Sequence, residues 1–294
     1  MSLRISQNIT AMNAHRWMNT ADSSMSKSIE RLSSGYRINS AADDAAGLVI
    51  SEGLRTQVSG LTVAQQNTQD GINMIKTSEA ALNEVETQLR NMRDLTLHAA
   101  NNANNSGSLA ADSAQMSQAS DAIDRISTQT EFAGVKLLDA TSNIGTGTFF
   151  QIGANAGQQA SFDLMSTSVT YDGVTVTGDM SASGLGIDTL AASVLSGTSA
   201  GDFDAIVNSI DTALKQVNGL RVNLGAFQKN NLESNLNSIS VASENLSASE
   251  SAIRDTDMAA EMTNFTKNQI LVQSASAMLT QANQSSQNIL QMLR

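Results

Sequence analysis

Cysteine and proline are both missing from the 294 residues. Without cysteine there are no disulfides, no thiolate nucleophile and no cysteine-based zinc site, and nothing about redox compartment follows. Without proline no helix interior carries the ~3 kcal/mol penalty that residue imposes, so very long helices are allowed. Aromatic residues are only 3% of the chain, with a single tryptophan, Trp17. Large aromatic side chains dominate the energetics of thick cores, so this chain suits long surfaces lined with Ala, Leu, Ile, Val and Met. Charge is sparse as well, at 15% against the roughly 25% of ordinary globular domains. Positive charge is the scarcer sign: 17 Lys and Arg against 28 Asp and Glu leave a net −11. That argues against nucleic acid as a partner, which requires a basic face, and favours soluble, mutually repelling monomers. No apolar run approaches the ~18 residues of a membrane span, so no membrane insertion is expected. The N-terminal MSLRISQNITAMNAHRWMNTADS has no continuous apolar stretch, so no cleavable signal peptide is expected and export needs another route.

What is present is helical periodicity. From Ile5 to Leu32 apolar residues recur at intervals of three and four, as in Met18, Ala21, Met25, Ile29 and Leu32. Ser33, Ser34 and Gly35 then interrupt the pattern. Ala45 to about Asn101 carries a longer stripe through Leu54, Val58, Leu61, Ile72, Ile75, Leu82, Val85, Leu89 and Met92, a heptad-like seam suited to packing against another helix. A third helix is expected over Ser108–Thr130. After Asp202 the seam resumes through Ile206, Ile210, Ala213, Val217, Leu220, Leu224 and Phe227, shifts phase, and continues through Leu232, Leu236, Ile239 and Ile253. Residues 137–214 differ: they hold no Lys or Arg and more than half of the 19 glycines. Within them FFQIGANAGQQASFDL and SVTYDGVTVTG alternate apolar and polar residues around Gly- and Asp-rich turns, the β-hairpin pattern. The expected fold is mainly α: an elongated antiparallel rod of N- and C-terminal helices, coiled-coil-like, with a small β-hairpin region in the middle.

Chemistry finds little support. His15 and His98 are the only histidines, and no HExxH, Ser/His/Asp grouping or three-ligand metal spacing forms around them. The glycines of GANAG lack the following Lys-Ser or Lys-Thr of a P-loop. Asp43 and Asp44 are adjacent, so on a helix they would point about 100° apart and not converge as a catalytic pair. With Ser40 they are read as a helix start, where side-chain oxygens cap free N–H groups and negative charge suits the helix dipole. No enzyme and no cofactor are expected.

The residues also carry a resemblance. IERLSSGYRINSAADDAAGLVISEGLRTQVSGL (29–61) closely resembles the N-terminal signature of bacterial flagellins. NMRDLTLHAAN, AIDRISTQTEFAGVKLLD and FFQIGANAGQ resemble further flagellin segments in the same order. SAIRDTDMAAEMTNFTKNQILVQSASAMLTQANQSSQNILQMLR (251–294) resembles the C-terminal region. The resemblance implies the subunit of the flagellar filament, exported unfolded by the flagellar type III route and secreted into an extracellular homopolymer. On that template 1–43 and 255–294 make an inner coiled-coil layer and 44–140 with 203–254 a helical rod, while 141–202 is a hairpin and short variable outer region. Subunit packing in the inner layer is then assigned to Ile5, Ile9, Met12, Met18, Met25, Ile29 and Leu32, and to Phe265, Leu271, Met278, Leu279, Ile289 and Leu293. Gly35, Arg37 and Asn39 lie in the spoke between layers.

Further partners implied are the export chaperone and the cap and hook-junction proteins. A vertebrate innate immune receptor that detects flagellins reads an Arg-x-Arg-Glu-Leu type motif. Here Asn91 stands for the first Arg and Gln115 for a later glutamate, which implies weakened recognition because Asn lacks the bidentate donors of Arg. The alternative within the family is a hook–filament junction protein; AADDAAGL and QANQSSQNILQMLR favour the filament subunit. Some flagellins carry a central metalloprotease, which the short centre without HExxH argues against.

Overall fold

The computed structural model describes residues 8–101, 105–139, 148–162, 170–175, 179–196 and 200–292. Among the described residues seven α-helices run in chain order: α1 (Ile9–Ser34), α2 (Ala45–Ala99), α3 (Ser106–Gln129), α4 (Leu190–Ser196), α5 (Ala200–Phe227), α6 (Ser234–Arg254) and α7 (Met258–Met292). Three two-stranded antiparallel hairpins interrupt them: β1 (Glu131–Phe132) with β2 (Val135–Lys136), β3 (Thr148–Gln151) with β4 (Gln159–Phe162), and β5 (Thr170–Tyr171) with β6 (Val174–Thr175). The second and third of these lie where the alternating segments predict them. The chain folds into two compact units, one of Met1–Gln57 with Glu244–Arg294 and one of Val58–Ser243.

In the second unit α2 and α5 lie antiparallel. Arg221 of α5 pairs with Glu86 (2.5 Å) and Glu79 of α2, while Arg93 pairs with Asp211 at 2.8 Å. Leu82, Val85, Leu89 and Met92 of α2, Met116 and Ile123 of α3, and Ile210, Val217 and Leu220 of α5 are fully enclosed. Those of α2 and α5 are residues of the expected seams, joined by two from α3, and their burial supplies the non-directional stabilisation that long helices need.

The phase shift after Phe227 has a structural cause. Residues Gln228–Glu233 form one turn of π-helix between α5 and α6. The wider turn spans the five-residue step from Phe227 to Leu232, so both side chains stay in the core, 7% and 0% exposed. The β3–β4 hairpin sits against this region: Phe150 meets Phe227 with ring centroids 6.5 Å apart, and Asn67 and Asn235 donate to the carbonyls of Gln151 and Ile152. On α2 the hairpin lies over Gly60, where an added Cβ would stand 3.1 Å from the Cα of Ala154. The tips of the first and third hairpins each carry two consecutive positive-φ residues, Ala133-Gly134 and Asp172-Gly173, which match the twist of paired strands.

The Gly-rich middle contains more than hairpins. Met180, Leu185, Ile187, Leu190 and Val194 are buried. This stretch is fastened to α3 and its following segment: the Ala182 amide donates to Asp124, Ser113 donates to the Ala191 carbonyl, and the Met180 amide donates to the Leu138 carbonyl. It completes the second unit's core.

In the first unit α1 and α7 are antiparallel partners. The Asn8 amide group donates to the Ala282 carbonyl at 3.0 Å at one end, and Arg31 approaches Glu261 at 3.7 Å at the other. Asn8 also caps α1, its side chain accepting from the Ala11 amide. Between the helices lies a heptad seam: Ala11, Ala14, Met18, Ala21, Met25 and Ser28 on α1, and Phe265, Asn268, Val272, Ala275, Leu279 and Ala282 on α7, each at least half-buried. Small residues recur along this seam, which lets the helix axes approach closely.

Candidate assembly surface

The connector from α1 to α2 begins at Gly35, whose φ of 78° and amide bond to the Arg31 carbonyl terminate α1 in the left-handed manner that glycine permits. The Gly35 carbonyl accepts from the Thr256 amide, and Tyr36 bridges Asp255. Arg37 donates twice to the end of α6, from its amide to the Arg254 carbonyl and from its guanidinium to the Ile253 carbonyl, both at 2.6 Å. Arg254 stacks 4.6 Å over the Tyr36 ring and reaches Glu52 at 2.7 Å. The two inter-helix connectors therefore run side by side, each satisfying the other's backbone groups. Asn39 donates to Glu30 at 3.2 Å and so ties the connector back to α1.

The two aspartates divide the work at the start of α2. Asp44 is the cap: its carboxylate accepts from the Gly47 amide at 2.9 Å. Asp43 closes the turn before it, accepting from the Asn39 and Ser40 amides and the Ser40 hydroxyl, and pairs with Lys27 of α1 at 2.6 Å. The Lys27 ammonium, with the Ser40 amide next, holds the Asp43 carboxyl well below its usual range; desolvation opposes the effect. Ser40 belongs to this turn, one helical turn ahead of α2 proper. Beside the connector, Ile38 is 2% exposed.

The residues expected to pack between subunits fall into two sets. Met18, Met25, Leu32, Phe265 and Leu279 are half-buried along the α1–α7 seam. Ile9, Met12, Ile29, Leu271 and Met278 are exposed. Ile5 and Leu293 lie outside the described residues, as does the side chain of Ile289. Trp17 is 65% exposed, and Met258, Met262 and Ile270 join it on the surface. Trp17, Ala21, Leu271, Ala275 and Met278 line a shallow groove of about 310 Å³ between the two helices. Having closed its seam, the pair still presents a second apolar surface. At the Trp17–Leu271–Met278 groove these side chains gather in one place, and clustered apolar exposure marks an interaction site.

In the second unit Asn91 and Gln115 are exposed and line an open groove between α2 and α3, with Gln88, Asp94, Leu95 and Gln118. Arg93, the arginine retained in that run, is engaged by Asp211 of α5. Among the described residues no three His, Asp or Glu side chains gather as a metal site, and no helix is long and apolar enough to cross a membrane.

A long-helix chain with a self-closed core in one unit and an unclosed apolar face in the other has the architecture of a polymerising structural subunit. Residues 5–143 match the bacterial flagellin N-terminal helical region and residues 207–293 the bacterial flagellin C-terminal helical region. The chain is 43% identical to the flagellin of Bacillus subtilis (strain 168), covering 99% of this chain and all of that one. It is 38% identical to the flagellar filament 33 kDa core protein of Treponema phagedenis, with 99% of each chain covered. Among solved structures, a putative flagellar hook-associated protein from Vibrio parahaemolyticus superposes with a TM-score of 0.58 over 72% of this chain and 100% of that one; at 18% identity this likeness is one of fold. The chain belongs to the bacterial flagellin family. It is a structural subunit of the flagellar filament, and the junction alternative is not favoured.

Proposed function

We propose that the subunit joins the filament through the apolar side chains of α1 and α7 that their own seam leaves exposed, and that these helices form the inner layer. The observation that carries this reading is the exposure of Met12, Trp17, Ile270, Leu271 and Met278 on helices whose mutual seam is already filled. Contacts between different patches of identical subunits that do not close into a ring generate a helical filament. In this reading the inner layer spans 1–43 and 255–294, the rod 44–140 and 203–254, and the outer region 141–202. The layers change at the paired connectors, where Gly35 and Arg37 hold the two chain passages together and Asn39 ties the first of them to α1. Ile5, Ile289 and Leu293 belong to the same proposed packing set.

No catalytic step enters this function. The subunit is secreted unfolded, delivered by an export chaperone, and inserted between hook-junction proteins and the cap at the growing tip. Its filament is thin and smooth, because 141–202 is too short for a further folded projection. Recognition by the flagellin-sensing receptor is weakened at Asn91 and Gln115, and the engagement of Arg93 by Asp211 reinforces that weakening. A reporter cell line exposed to purified monomer tests this point, with low signalling expected.

The filament reading is tested by electron microscopy of purified full-length protein after addition of ammonium sulfate, which strengthens apolar burial. Long filaments of uniform width are expected. Short collars, or no polymer even on filament seeds, would support a junction protein instead, and a separate outermost density would contradict the smooth surface.

A further inference from the structure

Exposure differs between the two units among the described methionines: Met18 and Met25 are half-buried in the α1–α7 seam, and the others fall into two sets. In the second unit Met74 is 7% exposed and Met92, Met116 and Met180 are fully buried. In the first unit Met12 and Met278 are 68% and 65% exposed, and Met258 and Met262 about half exposed. The antiparallel register set by Asn8 with Ala282 and by Arg31 with Glu261 puts Met12 level with Met278, and Met262 level with Ile29. Exposed sulfurs thus stand near opposite ends of the helix pair: Met278 lines the Trp17–Leu271 groove with Met12 level with it along α1, and Met258 and Met262 lie in the first turns of α7 beside the connectors.

We propose that these methionines make assembly sensitive to hydroperoxides: oxidation of Met12, Met258, Met262 and Met278 in the free subunit removes that subunit from polymerisation. The inference rests on the filament reading above. In the step, the thioether sulfur attacks the outer peroxide oxygen. An S–O bond forms and the O–O bond breaks; sulfur loses two electrons, and hydrogen peroxide leaves as water. The sulfoxide is polar and chiral where the thioether was apolar and adaptable. A neighbouring subunit would then have to bury an S=O acceptor without a donor, which costs free energy at each contact. The second unit stays folded because the sulfurs of Met74, Met92, Met116 and Met180 are enclosed. Once subunits have packed, the same four side chains are covered, so the filament resists a dose that disables the free subunit.

The test uses the full-length protein. Dilute subunit is treated with limiting hydrogen peroxide, quenched, and allowed to elongate filament seeds. Filaments are then separated from unincorporated subunit, and each methionine in both fractions is quantified by peptide mass spectrometry. Sulfoxide at the four named residues should form about tenfold faster than at Met74, Met92, Met116 and Met180, following exposure. It should be concentrated in the unincorporated fraction and depleted from the filaments. Treatment with methionine sulfoxide reductases of both epimer specificities should return that fraction to polymerisation competence. Equal sulfoxide content in the two fractions would overturn the proposal, as would a failure of the repaired subunit to elongate seeds. Untreated subunit that does not elongate seeds would instead contradict the filament reading itself.

Discussion

The two units of this chain use similar side chains to opposite ends. In the second unit Leu82, Leu89, Met116, Ile123, Ile210 and Leu220 meet one another and are closed from water. In the first, the described hydrophobic residues that reach burial are only Ala21 and Ile38, while the larger ones on α1 and α7 remain half-buried or exposed. The difference is one of partners rather than of composition. Three or more helices surround each stripe in the second unit, whereas a two-helix hairpin has one seam and must leave any further apolar face uncovered. A domain that closes its own core is stable alone; one that does not is completed by its neighbours. For a filament subunit the second arrangement couples order to assembly.

The strongest way to break this comparison is to place charge on the uncovered face. Leu271→Asp with Met278→Asp should raise the critical concentration for polymerisation by about a hundredfold or more, since unpaired carboxylates would be buried between subunits. Melting of the second unit should not move, as followed by circular dichroism. The converse change is Leu89→Ala, which opens a cavity in the closed core. It should cost about 2–5 kcal/mol in denaturant unfolding while leaving the α1–α7 face intact.

Smaller effects sharpen the picture at the connectors. Asp44→Ala removes the cap on α2 and should cost about 1 kcal/mol, with faster amide exchange confined to the first turns of that helix. Lys27→Ala should raise the Asp43 carboxyl back toward its ordinary value of 3.8, measured by carboxyl NMR titration. Because the folded value is depressed, the Asp43 contribution is complete above that ordinary value and is lost as pH falls through the folded one. The Lys215–Asp172 pair on the third hairpin works in both directions. Mutual hydrogen bonding lowers the Asp172 carboxyl and raises the Lys215 ammonium. Its contribution is therefore level across the neutral range, fading only in strong acid or as pH rises through the elevated lysine value.

Much of this architecture was legible in the sequence because long helices advertise their period. The stripes of α2 and α5 mark the core that forms, and even the phase slip before Leu232 corresponds to a turn of π-helix. Two features escaped for physical reasons. The buried run from Met180 to Val194 sits in a lysine- and arginine-free, Gly-rich stretch, and its helix of seven residues is too short to display a period. On α1 and α7 the large apolar residues include exposed positions such as Met12 and Met278 as well as seam positions. Much of the seam uses Ala11, Ala14, Ala21, Ser28 and Ala275, which are inconspicuous in composition yet are what close helix packing requires. The paired connectors were also only half visible. Gly35 punctuates the sequence plainly, but the bonds from Arg37 to Ile253 and Arg254 join residues more than two hundred positions apart.

On the proposed function, one unit is complete in the free subunit and the other is completed by assembly. Amide hydrogen exchange, measured residue by residue on dilute subunit and on filament, tests it most directly. The account predicts strong protection of α3, α5 and the α2 residues beyond Val58 in both states, with α1 and α7 exchanging rapidly in the subunit and slowly in the filament. Protection of α1 and α7 in dilute subunit equal to that of the second unit would contradict it.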